Sequence, residues 1–134
     1  MPRQTFNKQE KLKSRKTIGS LFINGKSVYN QSIKLLWGAG YRMDIPLEAG
    51  FAVPKKSIKN AVDRNRIKRL MREAFRKNRE ELLLKIEENG LNISCMFLYQ
   101  AKETLDYAGV EQAMIYLMKL LAGKLGNKPE TKRV

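Results

Sequence analysis

The sequence predicts a small α+β sandwich in which helices pack on one central sheet. Three observations carry that expectation. Residues 60–79 repeat apolar side chains at helical spacing. The segments 27–37, 49–53 and 91–99 are rich in β-branched and aromatic residues and are bounded by Asn, Gly and Pro. Residues 110–121 return to helical spacing. At 134 residues the chain suits a single domain, expected over 1–124. Residues 1–10 are polar and expected to be flexible, and 125–134 read as a disordered basic tail.

Each element has its own signals. Lys11–Asn24 reads as a helix with Ile18, Leu21 and Phe22 as its apolar stripe. Ser14 or Thr17 is placed to cap its start, and Gly25 to end it in the left-handed conformation. Ser27–Trp37 is strand-like, with a turn near Asn30–Gln31 that can divide it in two. Gly38–Glu48 reads as a loop, and Ala49–Val53 as a strand ended by Pro54. The helix Asn60–Arg79 follows, and Glu81–Glu88 either continues it or forms a second short helix ended by Asn89–Gly90. Leu91–Tyr99 is apolar enough to be a central, buried strand. Val110–Leu121 is a last helix, broken by Gly123 and Gly126.

The charge is the unusual property. Lys and Arg total 27 against 13 Asp and Glu, a net charge of +14. Such a field attracts nucleic acid or an anionic membrane surface. No apolar run approaches the ~18 residues of a membrane span, and the polar N-terminus has no apolar signal segment. The single cysteine, Cys95, excludes an intrachain disulfide and fits a reducing, cytoplasmic setting. There is no histidine, which removes the commonest general base and metal ligand. Asp44, Asp63 and Asp106 are the only aspartates and lie far apart, so a two-metal carboxylate site is poorly supported. The composition points to a binder before a catalyst.

The helix 60–79 concentrates that charge. Wound at about 100° per residue, Ile67, Leu70, Met71, Ala74 and Phe75 share one arc. Arg64, Asn65, Lys68, Arg69, Arg72, Arg76 and Arg79 are expected on the opposite arc. Arg64/Lys68, Lys68/Arg72 and Arg72/Arg76 are like-charge pairs, each costing about 0.2–0.5 kcal/mol. A purely structural helix interleaves glutamates, yet Glu73 is the one acid between Arg64 and Arg79. The planar arginine fork suits phosphate, so a polyphosphate backbone is the natural counterpart. Asn65 is either a reader of a base edge or sugar hydroxyl or a plain surface amide. Asp63 is either a metal ligand in an RNA complex or an acid favoured by the helix dipole. Lys8, Lys11, Lys13, Arg15 and Lys16 form a second basic cluster near Phe6, Phe22, Tyr29 and Trp37, a pattern that suits single-stranded nucleic acid. Lys55 and Lys56 at a strand end can reach a phosphate.

The run Phe51-Ala-Val-Pro-Lys-Lys56, followed by Asn60-Ala-Val-Asp-Arg-Asn-Arg-Ile-Lys-Arg-Leu-Met-Arg-Glu-Ala-Phe-Arg76, resembles the protein subunit of bacterial ribonuclease P. The opening Phe6-Asn-Lys-Gln-Glu-Lys-Leu-Lys13 and the Leu21-Phe-Ile-Asn-Gly25 ending support the resemblance. It implies an αβββαβα sandwich with a left-handed βαβ crossover. It also implies an accessory subunit of an endoribonuclease, cytoplasmic and needing no protein partner, that assists a catalytic RNA in removing the 5′ leader of precursor tRNA. No protein side chain is then catalytic, and Mg²⁺ is held mainly by the RNA subunit and substrate. The resemblance assigns Arg64, Asn65, Arg66, Lys68, Arg69, Arg72 and Arg76 to the RNA subunit. It assigns Lys11, Ile18, Phe22, Lys34, Leu36, Lys55 and Lys56 to the leader. The chain departs from the family pattern at Ile18, where a second phenylalanine is common, at Leu36, where an aromatic is common, and in the loop 57–60, one residue longer than in many members.

Overall fold

The structure is a computed structural model and describes residues 11–12, 14–40 and 44–126. The expectations for residues 1–10, including Phe6 and Lys8, for Lys13 and for the tail beyond Gly126 lie outside the described residues. The elements are α1 (Arg15–Asn24), β1 (Lys26–Tyr29), β2 (Ile33–Ala39), β3 (Leu47–Ala52), α2 (Ala61–Asn78), α3 (Glu80–Glu88), β4 (Ile93–Tyr99) and α4 (Tyr107–Gly126). The sheet order is β1-β2-β4-β3. β2 is antiparallel to β1 and β4, whereas β3 is parallel to β4 and reaches it through α2 and α3. The α+β sandwich stands, and β4 is central as expected.

Strand alternation decides what each face of the sheet meets. Leu35, Trp37, Phe97, Tyr99 and Ala49 point to the main core, which α2 closes with Ile67, Met71, Ala74 and Phe75. Val110, Met114, Leu117 and Leu121 of α4 complete that core. At its centre Phe51 stacks on Phe97, with ring centroids 5.5 Å apart, and Phe75 meets both edge-on. The opposite face carries a smaller cluster of Leu12, Leu21, Leu36 and Met96, covered by α1.

The boundaries show where local signals were overruled. Ser14 is the cap of α1, its Oγ accepting from Thr17 N at 3.2 Å. The helix therefore begins at Arg15 and not at Lys11. Lys11 instead bridges to Ala49, and Leu12 N donates to the Ala49 carbonyl at 3.0 Å, adding a short parallel rung to the edge of β3. Gly25 is extended (φ −71°, ψ 154°), not left-handed, because the chain runs straight from α1 into β1. Glycine is required there by space: a Cβ would lie 2.4 Å from the Leu21 carbonyl oxygen. The turn at Asn30 does divide β1 from β2, with Asn30 Oδ1 accepting from Ser32 N and Ile33 N. β2 runs through Gly38 and Ala39, and β3 starts at Leu47, so both ends of the expected loop are strand. α4 continues through Gly123 to Gly126, and burial of Leu125 explains the extra turn.

Candidate nucleic-acid interface

α2 starts where Asn60 Oδ1 accepts from Val62 N at 2.8 Å and Asp63 N at 3.4 Å, satisfying two first-turn donors. With its apolar arc packed on the core, the helix presents Asn65, Arg66 and Arg69 fully to solvent and Lys68, Arg72 and Arg76 partly. Glu73 is a carboxylate paired with this face. Arg76 Nη2 lies 2.5 Å from Glu73 Oε2, and Lys77 Nζ lies 4.0 Å from the same oxygen. The hydrogen bond from Arg76, aided by the charges of Arg76 and Lys77, holds the Glu73 carboxyl below the usual carboxylate range. Arg66, Lys68 and Arg69 carry no such neutralisation among the described residues.

The guanidinium of Arg72 sits 5.9 Å from the Phe51 ring centroid. Its Nε is buried with no hydrogen-bond partner, and the residue as a whole is partly exposed.

Two arginines differ from the wheel expectation. Arg79 does not extend the cationic arc. It is only 2% exposed and lies 5.8 Å from the Phe75 ring centroid, at the junction of α2 and α3. Arg79 keeps helical backbone (φ −82°, ψ −9°) and follows Phe75 by four residues, about 40° round the helix, so regular rotation itself puts it beside Phe75 and the opposite-arc expectation was a misreading of the wheel. Arg64 is half-buried, and its Nη1 donates to the carbonyls of Ile58 at 3.1 Å and Lys59 at 2.6 Å. It ties the preceding loop to the helix.

The leader residues assigned by resemblance gather around α1. The register places Tyr29, Lys34, Leu98 and Ala52 in one row across four strands, on the α1 face of the sheet. Tyr29 is 66% exposed, and Phe22, on α1, is 56% exposed. Ile18, Lys34, Leu98 and Ala52 are partly exposed. The result is an apolar strip with one ammonium group and two open aromatic rings, side-chain types whose chemistry suits stacked bases and a backbone phosphate. Lys55 and Lys56 stand exposed in the turn beyond β3, and Lys11 at its edge. Leu36 corrects the expectation. It is 5% exposed and sealed with Leu12, Leu21 and Met96 beneath α1, so it has no surface for a leader. Trp37 points to the other face, into the main core. Tyr29, Leu98 and Ala52 were missing from the assigned set; strand alternation from Lys34 identifies them only once the pairing is known.

Cys95 is buried, and burial followed by the charge of Glu48 pushes its thiol up, away from thiolate chemistry. Among the described residues no three His, Cys, Asp or Glu side chains gather as a metal site. No helix among them is long and apolar enough to cross a membrane.

Comparison with known proteins gives a consistent picture. The family model "Ribonuclease P" matches residues 6–122. The ribonuclease P protein component of Chlorobium phaeobacteroides is 34% identical over 104 residues, 71% of each chain. That of Porphyromonas gingivalis is 31% identical over 127 residues, covering 94% of this chain and 90% of the relative. Among solved structures, the RNase P protein of Staphylococcus aureus superposes with a TM-score of 0.67 at 22% identity, over 88% of this chain and 98% of that one. That of Thermotoga maritima superposes with a TM-score of 0.66 at 24% identity, over 83% and 96%. At these identities the superpositions establish the fold.

Proposed function

The chain belongs to the ribonuclease P family, and from that premise we propose that it is the accessory protein subunit of a ribonucleoprotein that removes the 5′ leader from precursor tRNA. One observation carries this reading: the cationic flank of α2 and the apolar, aromatic strip beside α1 lie on opposite faces of a single sheet. The α2 face offers Asn65, Arg66, Lys68, Arg69, Arg72 and Arg76 to a folded RNA, the catalytic subunit. Across the sheet, Phe22, Tyr29, Ile18, Lys34 and Leu98 form the strip that takes the single-stranded leader, with Lys11, Lys55 and Lys56 at its margins.

This arrangement does a job that RNA does poorly. Catalytic RNA and precursor repel each other along their backbones, and the cations of a domain wedged between them offset that repulsion. Leader contacts add affinity that mature tRNA lacks, which favours substrate over product. Hydrolysis is assigned to the RNA. Mg²⁺, which takes oxygen ligands, is assigned to RNA and substrate, whose phosphates supply them; the carboxylates of this chain are scattered in sequence. The protein raises metal affinity indirectly by holding the two polyanions together. It acts in the cytoplasm and needs no protein partner.

Reconstitution with the RNA subunit of the same genome tests the proposal. Adding the protein should tighten binding of precursor tRNA more than that of mature tRNA and lower the magnesium requirement. Equal effects on both tRNAs, or cleavage by the protein alone, would contradict it.

A further inference from the structure

Because β3 and β4 are parallel, the segments leaving their C-terminal ends emerge at the same edge of the sheet. They face each other across a groove of about 520 Å³, lined by Lys56, Lys59, Asn60 and Asp63 on one side and Lys102 and Thr104 on the other. Its frame is fixed at three points. Ser57 Oγ donates to the Tyr99 carbonyl at 3.3 Å, Lys102 Nζ donates to the Lys56 carbonyl at 3.5 Å, and Arg64 holds the carbonyls of Ile58 and Lys59. Lys56, Lys59 and Lys102 are exposed, and no carboxylate among the described residues is paired with any of them. Asp63 is the single acid in the lining. Asn60 already caps the first-turn amides of α2, so the attraction for an anion comes from the three ammonium groups. Three like charges held around one groove repel each other until an anion enters.

We propose that this groove seats a phosphodiester segment of the RNA subunit. Lys59 and Lys102 are then contacts additional to the α2 face, and Arg64 is a positioning residue acting through Lys59. The inference rests on the reading in the preceding subsection. The RNA subunit is the occupant because the lining includes the first turn of α2 and Ile58, whose side chain packs into the core on the α2 side. The cationic track thus continues from the groove into Arg66 and Arg69, whereas the leader strip lies across the sheet beside α1. Lys56 stands where the two surfaces adjoin.

The test uses the full chain with the RNA subunit of the same genome and precursor tRNA. Lys59→Ala, Lys102→Ala, Arg64→Ala and Arg69→Ala are compared for RNA-subunit affinity against salt and for the preference of precursor over mature tRNA. Each lysine variant should weaken RNA-subunit binding and lower the log–log salt slope by about 0.9 per phosphate left without its cation, leaving the precursor preference unchanged. If Arg69→Ala alone lowers the slope, the groove is refuted and the broader function stands. If no variant moves it, the function fails as well. A change confined to the precursor preference would give the groove to the substrate and overturn the assignment. Arg64→Ala should add less loss in the Lys59→Ala background than in the native protein; additive losses would make Arg64 an independent contact.

Discussion

Glu73 and Arg76 form a two-point ion pair on the outer side of α2, with Arg76 Nε 3.2 Å from Oε1 and Nη2 2.5 Å from Oε2. Glu73 thereby withholds part of the helix charge from any partner. Glu73→Gln should tighten binding to the RNA subunit and steepen its salt dependence, since a negative charge is removed from the cationic flank. Salt titrations of the two proteins check this. The pair also sets a pH dependence. The folded-state pKa of Glu73 lies below its unfolded value near 4.5, so its stabilisation is complete above that value and is lost as pH falls through the folded pKa. Because the pair is largely solvated, the loss should be about 0.5 kcal/mol or less. Urea unfolding between about pH 3 and pH 7 should show a smaller decline in Glu73→Gln than in the native protein, the difference being the contribution of the pair.

Arg64 and Arg69 occupy one helix yet should fail differently. Arg69→Ala removes an exposed cation, so it should lower the salt slope of RNA binding while changing stability by less than about 0.5 kcal/mol. Arg64→Ala frees the carbonyls of Ile58 and Lys59 and should destabilise the fold by about 1 kcal/mol. Thermal unfolding measured beside RNA affinity separates the two.

Phe22 and Tyr29 make a prediction specific to the substrate. Each alanine variant should cost precursor tRNA about 1–3 kcal/mol of binding if its ring stacks a leader base, and should leave mature tRNA and RNA-subunit binding unchanged. Equal losses for precursor and mature tRNA would place both rings outside the leader path.

Arg79 is a structural arginine, half of an α2–α3 junction built on Phe75. Arg79→Ala should lower stability by about 1–3 kcal/mol through poorer packing. Once the variant is folded, its RNA salt slope should match the native one.

Arg79 also shows what a helical wheel can and cannot read. Ile67, Met71, Ala74 and Phe75 were identifiable because regular rotation ties spacing to burial. Arg79 was readable too but was placed by its charge: four residues after Phe75, it lies about 40° from it on the same wheel. Gly123 misled in the opposite direction: a weak helix former stays helical when Leu125 beyond it has a core to enter. The strand segments were readable from β-branched and aromatic runs, and Leu36 and Trp37 do fall on opposite faces. Which face α1 covers depends on pairing far along the chain, so the burial of Leu36 and the openness of Tyr29 were beyond local pattern. The Arg64 clamp was likewise hidden, since an arginine bound to its own loop is written the same way as one awaiting phosphate.

The most direct measurement is the affinity of the RNA subunit for a variant with Arg66, Lys68 and Arg69 all changed to alanine, followed across salt concentration. The account predicts weaker binding and a log–log slope reduced by about 0.9 for each phosphate no longer neutralised, with the fold intact. An unchanged slope and affinity in the folded variant would contradict the central claim that this flank of α2 meets the RNA.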